Sequence, residues 1–201
     1  LTTDDGRMPG FPSIYPAEHN YVANGLAIRQ DWLDQLGLDT PKTYDDLYNV
    51  LTAFKTELGV EGPLYLAHDG TMQSQAMGAG LGICITEDAI PNEHPYYVVD
   101  DEVHFSYTED AFKDYLTMMN KWYAEGLVWK DFVSGGGGMS ALQTGAQDDV
   151  AAGKIGVAYL EVSTFDQLNE MCGDGAKWVG LAEPTLDGSG VVHTKLNGSE
   201  S

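Results

Sequence analysis

The pattern of apolar and polar positions is most regular between residues 25 and 59. Residues 26–28 form a short apolar run that predicts the end of a strand. A short helix over residues 32–36 follows, and it stops at Gly37 because glycine readily adopts the left-handed conformation of a helix C-terminus. The pattern therefore predicts a strand that leads directly into a short helix.

A longer amphipathic helix follows a turn marked by Pro41. Thr43 is its predicted N-cap, with Asp46 three residues later in the reciprocal capping position. Apolar side chains then recur at spacings that place them on one helical face, and Gly59 closes the helix. The residues of this predicted buried stripe are Leu47, Leu51, Phe54 and Leu58.

The rest of the chain alternates between short apolar segments and amphipathic helices. Predicted strands cover residues 63–67, 96–99, 103–107, 154–159 and 178–181, and predicted helices cover residues 72–81, 108–125, 139–152 and 163–171. Two of these strands, joined by residues 100–102, form a predicted hairpin. Thr108 is the predicted N-cap of the helix after it, whose predicted core face comprises Phe112, Tyr115, Leu116, Met119, Trp122 and Tyr123.

Glycine-rich stretches do not predict a nucleotide site. The run from Gly78 to Gly82 has Ile83 in place of the third glycine of a dinucleotide loop, and it follows a helix where a strand is required. Close helix packing explains these glycines better. The run at residues 135–138 lacks the lysine that ends a phosphate loop, so the sequence predicts no cofactor.

Residues 25–54 closely resemble a segment of family 1 extracellular solute-binding proteins, the maltose-type sugar-binding components of ABC importers. Residues 119–132 and 154–159 resemble later segments of the same family, and residues 5–12 resemble its crossover between lobes. The matching residues of the first segment are Arg29, Asp31, Trp32, Leu33, Asp34, Leu36, Gly37, Leu38, Pro41, Thr43, Asp45 and Leu47.

The resemblance implies an α/β fold, a periplasmic-binding-protein type II-like lobe in which helices pack on a mixed sheet. Residues 1–201 would form a single lobe of a two-lobed protein, with residues 1–20 and 185–201 as inter-lobe crossover segments. The chain opens at Leu1 with no signal sequence, so we expect a piece of a longer protein.

The activity implied by the resemblance is capture of a sugar or oligosaccharide between two lobes and delivery to a membrane ABC permease. It also implies a monomeric extracellular lipoprotein or periplasmic protein, whose signal and anchor are not in this chain. Two alternatives stay open. One is a binding protein for a non-sugar solute, such as a peptide or cationic compound, and the other is an acidic interaction or adhesion module.

Composition narrows the choice of partners. The chain has 31 acidic residues against 10 lysines and arginines, a formal charge of -21. Such a surface repels phosphate backbones and anionic lipids, so we expect no nucleic-acid or membrane-surface binding. Cys84 and Cys172 could pair in an oxidising compartment, but Cys84 lies in an apolar run, which favours two buried thiols.

Catalytic and metal-binding motifs are absent from the sequence. The histidines are scattered, with no pair or Cys/His cluster at zinc-ligand spacing, and no nucleophile elbow is present. Carboxylate pairs can be chosen almost at will from so many acids, so they do not indicate a glycosidase. We therefore expect neither an enzyme nor a metal protein.

A binding site is better supported, since sugars bind to aromatic faces and planar polar side chains on loops at strand ends. Two strand exits offer such groups, and overall resemblance to maltose-type proteins implies that both face the ligand cleft. The family often carries a tryptophan at the second exit, where this sequence would use Phe165 or Tyr159 instead. An ordinary capping or loop role is an equal alternative for each candidate. The candidates are His68, Asp69, Thr71, Gln73, Tyr159, Glu161, Ser163, Thr164 and Phe165.

Two further residues of the matching segment carry a predicted structural role. Asp31 lies in the first turn of the short helix, where the helix dipole favours an anion. Arg29 is expected to pair with a carboxylate or to bind loop carbonyls.

Overall fold

The structure, a computed structural model, describes residues 24–66, 77–83, 96–99, 102–131, 147–161 and 165–189. Its strands are β1 (Asn24–Arg29), β2 (Leu64–Tyr65), β3 (Tyr96–Val99), β4 (Glu102–Phe105), β5 (Val157–Glu161) and β6 (Trp178–Leu181). Four of them form a mixed sheet in the order β2-β5-β1-β6, in which β1 runs antiparallel to β5 and β6, and β2 runs parallel to β5. β3 and β4 form the predicted antiparallel hairpin.

Helices cover both faces of the sheet. They are α1 (Gln30–Leu36), α2 (Tyr44–Leu58), α3 (Asp110–Ala124), α4 (Gln147–Ala151) and α5 (Phe165–Cys172), and a short 3-10 turn, Ser106–Thr108, joins β4 to α3. Strand residues alternate between the two faces, so each face has its own apolar cluster. The first cluster receives side chains from α1, α2 and α3, and the second from α4 and α5.

The predicted α1–α2 unit is confirmed. Gly37 and Gly59 end the two helices with φ of 65° and 72°, the left-handed region that glycine tolerates. Thr43 accepts a hydrogen bond from the Asp46 N–H, and the Asp46 carboxylate accepts one from the Thr43 N–H. The stripe also packs as predicted: Leu47, Leu51 and Phe54 are fully buried, and Leu58 is half-buried against the same cluster.

Arg29 and Asp31 have the structural role expected of them. The Arg29 guanidinium donates two hydrogen bonds to the Asp31 carboxylate, at 2.8 and 2.6 Å, and stacks 4.6 Å from the centre of the Trp32 ring. Burial alone would raise the pKa of Asp31, but the bonds from Arg29 and from the Lys177 N–H outweigh it and lower that pKa. The pair therefore ties the end of β1 to the segment before β6.

Two predictions about α3 are wrong. Thr108 does not cap the helix, because its hydroxyl donates to the Phe105 carbonyl inside the preceding turn, and Glu109 is the N-cap. Leu116 and Tyr123 are about half exposed and do not belong to the core face. Trp122 is buried as predicted, because it packs under α2.

Only one of the two cysteines lies in the described part of the chain. Cys172 is a free, half-buried thiol that donates to the Val150 carbonyl at 3.4 Å. Cys84 lies outside the described residues.

Candidate functional site

The directions of the strands bring several chain segments to one edge of the sheet. β2, β5 and β6 run the same way, so their carboxyl ends meet there beside the amino end of β1. α2 begins at the same edge, because Thr43 pairs with Thr185, just after β6. Open α/β sheets bind ligands outside the carboxyl ends of their strands, so this edge is the candidate ligand-binding edge of the sheet.

Four side chains converge at this edge and are called here the edge cluster: Tyr44, Tyr115, Tyr159 and Glu183. The three tyrosines are buried, and the Tyr44 hydroxyl donates to the Met77 carbonyl at 2.8 Å. Glu183 is partly buried, yet its Oε2 atom is shielded from solvent and has no hydrogen-bond partner among the described residues. A buried carboxylate oxygen without a partner is costly unless something binds it.

The pKa values of Glu183, Tyr159 and Tyr44 are shifted by burial and by the interaction of these side chains with one another. Burial raises the pKa of Glu183 to about 7. Burial, and then the charge of Glu183, raise the pKa of Tyr159 to about 12, and the same two causes raise the pKa of Tyr44. Both tyrosines are therefore neutral hydroxyls beside a carboxyl group that changes its charge near neutral pH.

Glu183 is held in place by a close approach of two backbones. A Cβ atom on Gly80 would lie 1.9 Å from the Pro184 carbonyl oxygen and 2.7 Å from the Tyr44 hydroxyl. Only glycine therefore lets the segment after β6 pack directly on residues 77–80. Close packing is thus confirmed for Gly80, whereas Gly82 adopts a φ of 76° in open space.

Chemically, the edge cluster is suited to hydrogen bonding. A tyrosine hydroxyl both donates and accepts, and a carboxylate accepts up to four bonds. Since the Tyr44 hydroxyl already donates to the Met77 carbonyl, Tyr159 and Glu183 are the groups that can bind adjacent hydroxyl groups of a ligand. Among the described residues no group of three His, Cys, Asp or Glu side chains could hold a metal ion. Within the same residues no helix is long and apolar enough to cross a membrane.

A groove at another place in the fold does not have this hydrogen-bonding character. It has a volume of about 290 Å³ and lies at the opposite edge, where its lining includes Arg29, Trp32 and Gly153. Its main charged group, Arg29, is already paired with Asp31. We therefore place the candidate site at the edge cluster and not in this groove.

The structure describes only part of the site predicted from sequence. Glu161 is the last residue of β5, and its backbone lies opposite Asn24 at the candidate edge. Tyr159 belongs to the edge cluster. The predicted residues His68, Asp69, Thr71, Gln73, Ser163 and Thr164 lie outside the described residues.

Tyr159 and Phe165, the two candidates for a stacking ring, are not brought together. Tyr159 points to the sheet face covered by α2, whereas Phe165 packs against the cluster on the opposite face. Their role as sugar contacts remains a prediction.

Sequence reasoning missed Tyr44, Tyr115 and Glu183. The sequence indicates that Tyr44 is the first residue of a capped helix and that Tyr115 belongs to the predicted core face of the helix after the hairpin. Glu183 is one of 31 acidic residues, and its only local signal is its position between an extended segment and Pro184. Its burial depends on Gly80, which is far away in the chain.

Comparison with known proteins finds relatives among bacterial substrate-binding proteins. Lipoprotein LipO of Bacillus subtilis is 36% identical over 138 residues, which are 66% of this chain and 25% of that protein. The fructooligosaccharide ABC transporter substrate-binding protein FusA of Streptococcus pneumoniae is 29% identical over 143 residues, 65% of this chain and 26% of that protein. The polygalacturonan/rhamnogalacturonan-binding protein YtcQ of Bacillus subtilis is 50% identical over 52 residues, 26% of this chain and 10% of that protein.

Solved structures establish the fold. The S. pneumoniae FusA structure in complex with kestose matches 92% of this chain and 37% of its own with a TM-score of 0.66 and 23% identity. An HMO-binding solute-binding protein associated with an ABC transporter, from Bifidobacterium longum infantis, matches 92% of this chain and 38% of its own with a TM-score of 0.65 and 24% identity. The predicted α/β fold, of the periplasmic-binding-protein type II kind, is thus confirmed.

The extent of these matches is limited. No family model matches the chain. The chain spans about a quarter of the length of the first two curated relatives. The resemblance seen in residues 25–54 is nevertheless confirmed as a similarity, since FusA is named as a fructooligosaccharide ABC transporter substrate-binding protein and YtcQ as a polygalacturonan/rhamnogalacturonan-binding protein.

Proposed function

We propose, on the premise that this chain is homologous to part of the sugar ABC-transporter substrate-binding lipoproteins, that it forms one lobe of an oligosaccharide-binding protein. Residues 1–201 supply this lobe, and a second lobe closes over the ligand by a hinge motion. Residues 1–20 and 185–201 connect the two lobes.

The observation that carries the proposal is the edge cluster. It has a Glu183 oxygen that is shielded from solvent and has no hydrogen-bond partner within the described part of the chain, and it lies beside two tyrosine hydroxyls at the carboxyl edge of the sheet. Vicinal sugar hydroxyls match this arrangement, because one hydroxyl can donate to the carboxylate while its neighbour accepts from the Tyr159 hydroxyl; the Tyr44 hydroxyl already donates to the Met77 carbonyl. Binding a sugar would therefore supply a partner that the described residues do not give the Glu183 oxygen.

The relatives support the class of ligand and the setting. FusA is named for fructooligosaccharides and YtcQ for polygalacturonan and rhamnogalacturonan. By analogy, the full protein is a monomeric, cell-surface lipoprotein or periplasmic component that hands its ligand to a membrane ABC permease. Its activity, by the same analogy, is binding of a solute, as in the relatives that are named as binding proteins.

The test is calorimetric titration of the full-length protein with a panel of oligosaccharides that includes kestose and galacturonate oligomers. We expect at least one of them to bind. Glu183→Ala should weaken that binding about ten- to a hundredfold, because a hydrogen bond to a charged group contributes about 1.5–3 kcal/mol. Glu57→Gln, which changes an exposed carboxylate near the far end of α2, should bind like the wild type.

Two outcomes would contradict the proposal. In the first, no saccharide binds while a peptide or a cationic solute does. In the second, a saccharide binds but Glu183→Ala keeps the wild-type affinity.

A further inference from the structure

A continuous row of aromatic rings leads away from the edge cluster. Neighbouring ring centres are 4.9 Å apart for Tyr96 and Phe105, 5.4 Å for Phe105 and Tyr107, 4.7 Å for Tyr107 and Phe112, and 6.2 Å for Phe112 and Tyr115. These five residues are called here the aromatic row. The row connects the hairpin, the 3-10 turn and the first turns of α3.

The row runs from buried to exposed. Tyr115, its inner end, is 8% exposed, whereas Tyr107 is 37% exposed and Tyr96, the outer end, is 51% exposed. Aromatic rings in contact with each other are usually buried in a core. Here Tyr96 and Tyr107 are exposed and present aromatic surface to the solvent.

The row also points in the direction that the proposed site requires. Tyr115 interacts with Tyr44, at the start of α2. The other end of α3 lies beside the end of α2, where the Lys55 amino group donates to the Glu125 carbonyl. The two helices therefore run in the same general direction, and the residues before Tyr115 extend beyond the carboxyl edge of the sheet.

The charges around the row narrow the chemistry of its occupant. Glu102, Asp110 and Asp114 are exposed near it, and Glu109 is paired with His104 at 3.2 Å, while Lys113 is a nearby cation. This predominantly acidic border repels an anionic saccharide such as a uronate polymer. A neutral sugar ring, in contrast, can place its apolar face on the exposed tyrosine rings and leave its hydroxyls in water.

We propose that the aromatic row is an outer subsite that stacks the distal rings of a neutral oligosaccharide whose inner sugar is bound at the edge cluster. This inference rests on the proposed function, and it adds a preference for longer, uncharged chains. An aromatic contact contributes about 0.5–1.5 kcal/mol, so each exposed ring should raise the affinity for long chains about two- to tenfold.

The experiment is titration of the full-length protein with a neutral fructooligosaccharide series from trisaccharide to hexasaccharide. Wild-type affinity should rise with chain length. Tyr96→Ala and Tyr107→Ala should each lose about two- to tenfold in affinity for the hexasaccharide and little for the trisaccharide. Tyr107→Phe, which retains the ring, should bind the hexasaccharide like the wild type.

Tyr123→Ala is the matched control, because Tyr123 is 48% exposed on the same helix and does not belong to the row.

Affinity that is independent of chain length in the wild type, or an equal loss for short and long chains in the two alanine variants, would overturn the inference and leave the proposed function intact. Tighter binding of galacturonate or glucosamine oligomers than of neutral chains would overturn the neutral preference. A wild-type protein that binds no saccharide would refute the inference together with the proposed function.

Discussion

Glu183 connects the packing of single residues to the proposed activity. Its carboxyl is held beside Tyr44 and Tyr159 because Pro184 packs directly on Gly80. The folded state therefore removes part of the hydration of this carboxyl without supplying a partner for Oε2 from the described residues. This is a cost to stability that ligand binding can offset.

The same cost makes stability depend on pH in a defined direction. The pKa of Glu183 is raised from 4.5 to about 7 in the folded protein, so the folded state binds its proton more tightly than the unfolded state. The contribution of Glu183 to the free energy of unfolding is therefore fully present below pH 4.5 and is lost as pH rises through 7. Solvent screening of this partly exposed group limits the loss to about 1–2 kcal/mol.

Glu183→Gln should remove this pH dependence, because the amide does not ionise. We expect the variant to gain about 1–2 kcal/mol relative to the wild type between pH 5 and pH 8, measured by urea unfolding. Glu57→Gln provides the control for the general effect of lost negative charge. A constant difference between Glu183→Gln and the wild type over that pH range would mean that Glu183 titrates normally.

At the scale of elements, α2 contributes most clearly to the first apolar cluster. Phe54 is fully buried, and its ring lies 5.1 Å from that of Trp32 in an edge-to-face arrangement. Phe54→Ala should lower the free energy of unfolding by about 3–5 kcal/mol, because it removes a buried ring and leaves a cavity. Leu58→Ala, at the half-buried end of the same stripe, should cost less. A loss below about 1.5 kcal/mol for Phe54→Ala in urea unfolding would argue against the buried stripe.

Elements set by local interactions could be predicted from sequence, and those set by distant contacts could not. The α2 bounds follow from Thr43, Asp46 and Gly59, which act within a few residues of the helix ends. The start of α3 was misjudged because Thr108 is drawn back into the turn after the hairpin. The position of β1 between β5 and β6 joins residues far apart in the chain, and no local pattern specifies it.

The same division applies to the candidate site. Strand exits can be found from sequence because apolar runs end there, and this placed Tyr159 and Glu161 in the carboxyl half of β5, where the structure also has them. Glu183 and Tyr44 could not be found, because their proximity depends on the contact of Gly80 with Pro184. The sequence also could not show that Tyr159 and Phe165 lie on opposite faces of the sheet, because this depends on where β5 ends and α5 begins.

At the scale of the whole molecule, the proposed function requires that this chain supply half of a binding site. A two-lobed binder encloses its ligand with hydrogen bonds from both sides and expels most of the water. One lobe offers only part of those contacts and still loses several kcal/mol of association entropy. Each hydrogen bond at an open edge also competes with water, where its net contribution is about 1 kcal/mol.

The lobe should fold without its partner, because two apolar clusters cover both faces of its sheet.

The most direct test compares the affinity of the full-length protein and of residues 1–201 alone for the same oligosaccharide by calorimetry, with thermal unfolding to show that both are folded. The account predicts clear binding by the full-length protein and affinity at least about a hundredfold weaker for the lobe. It also predicts that millimolar saccharide leaves the unfolding midpoint of the lobe unchanged. Equal affinity of the two proteins would contradict the account, because the whole site would then lie within this one lobe.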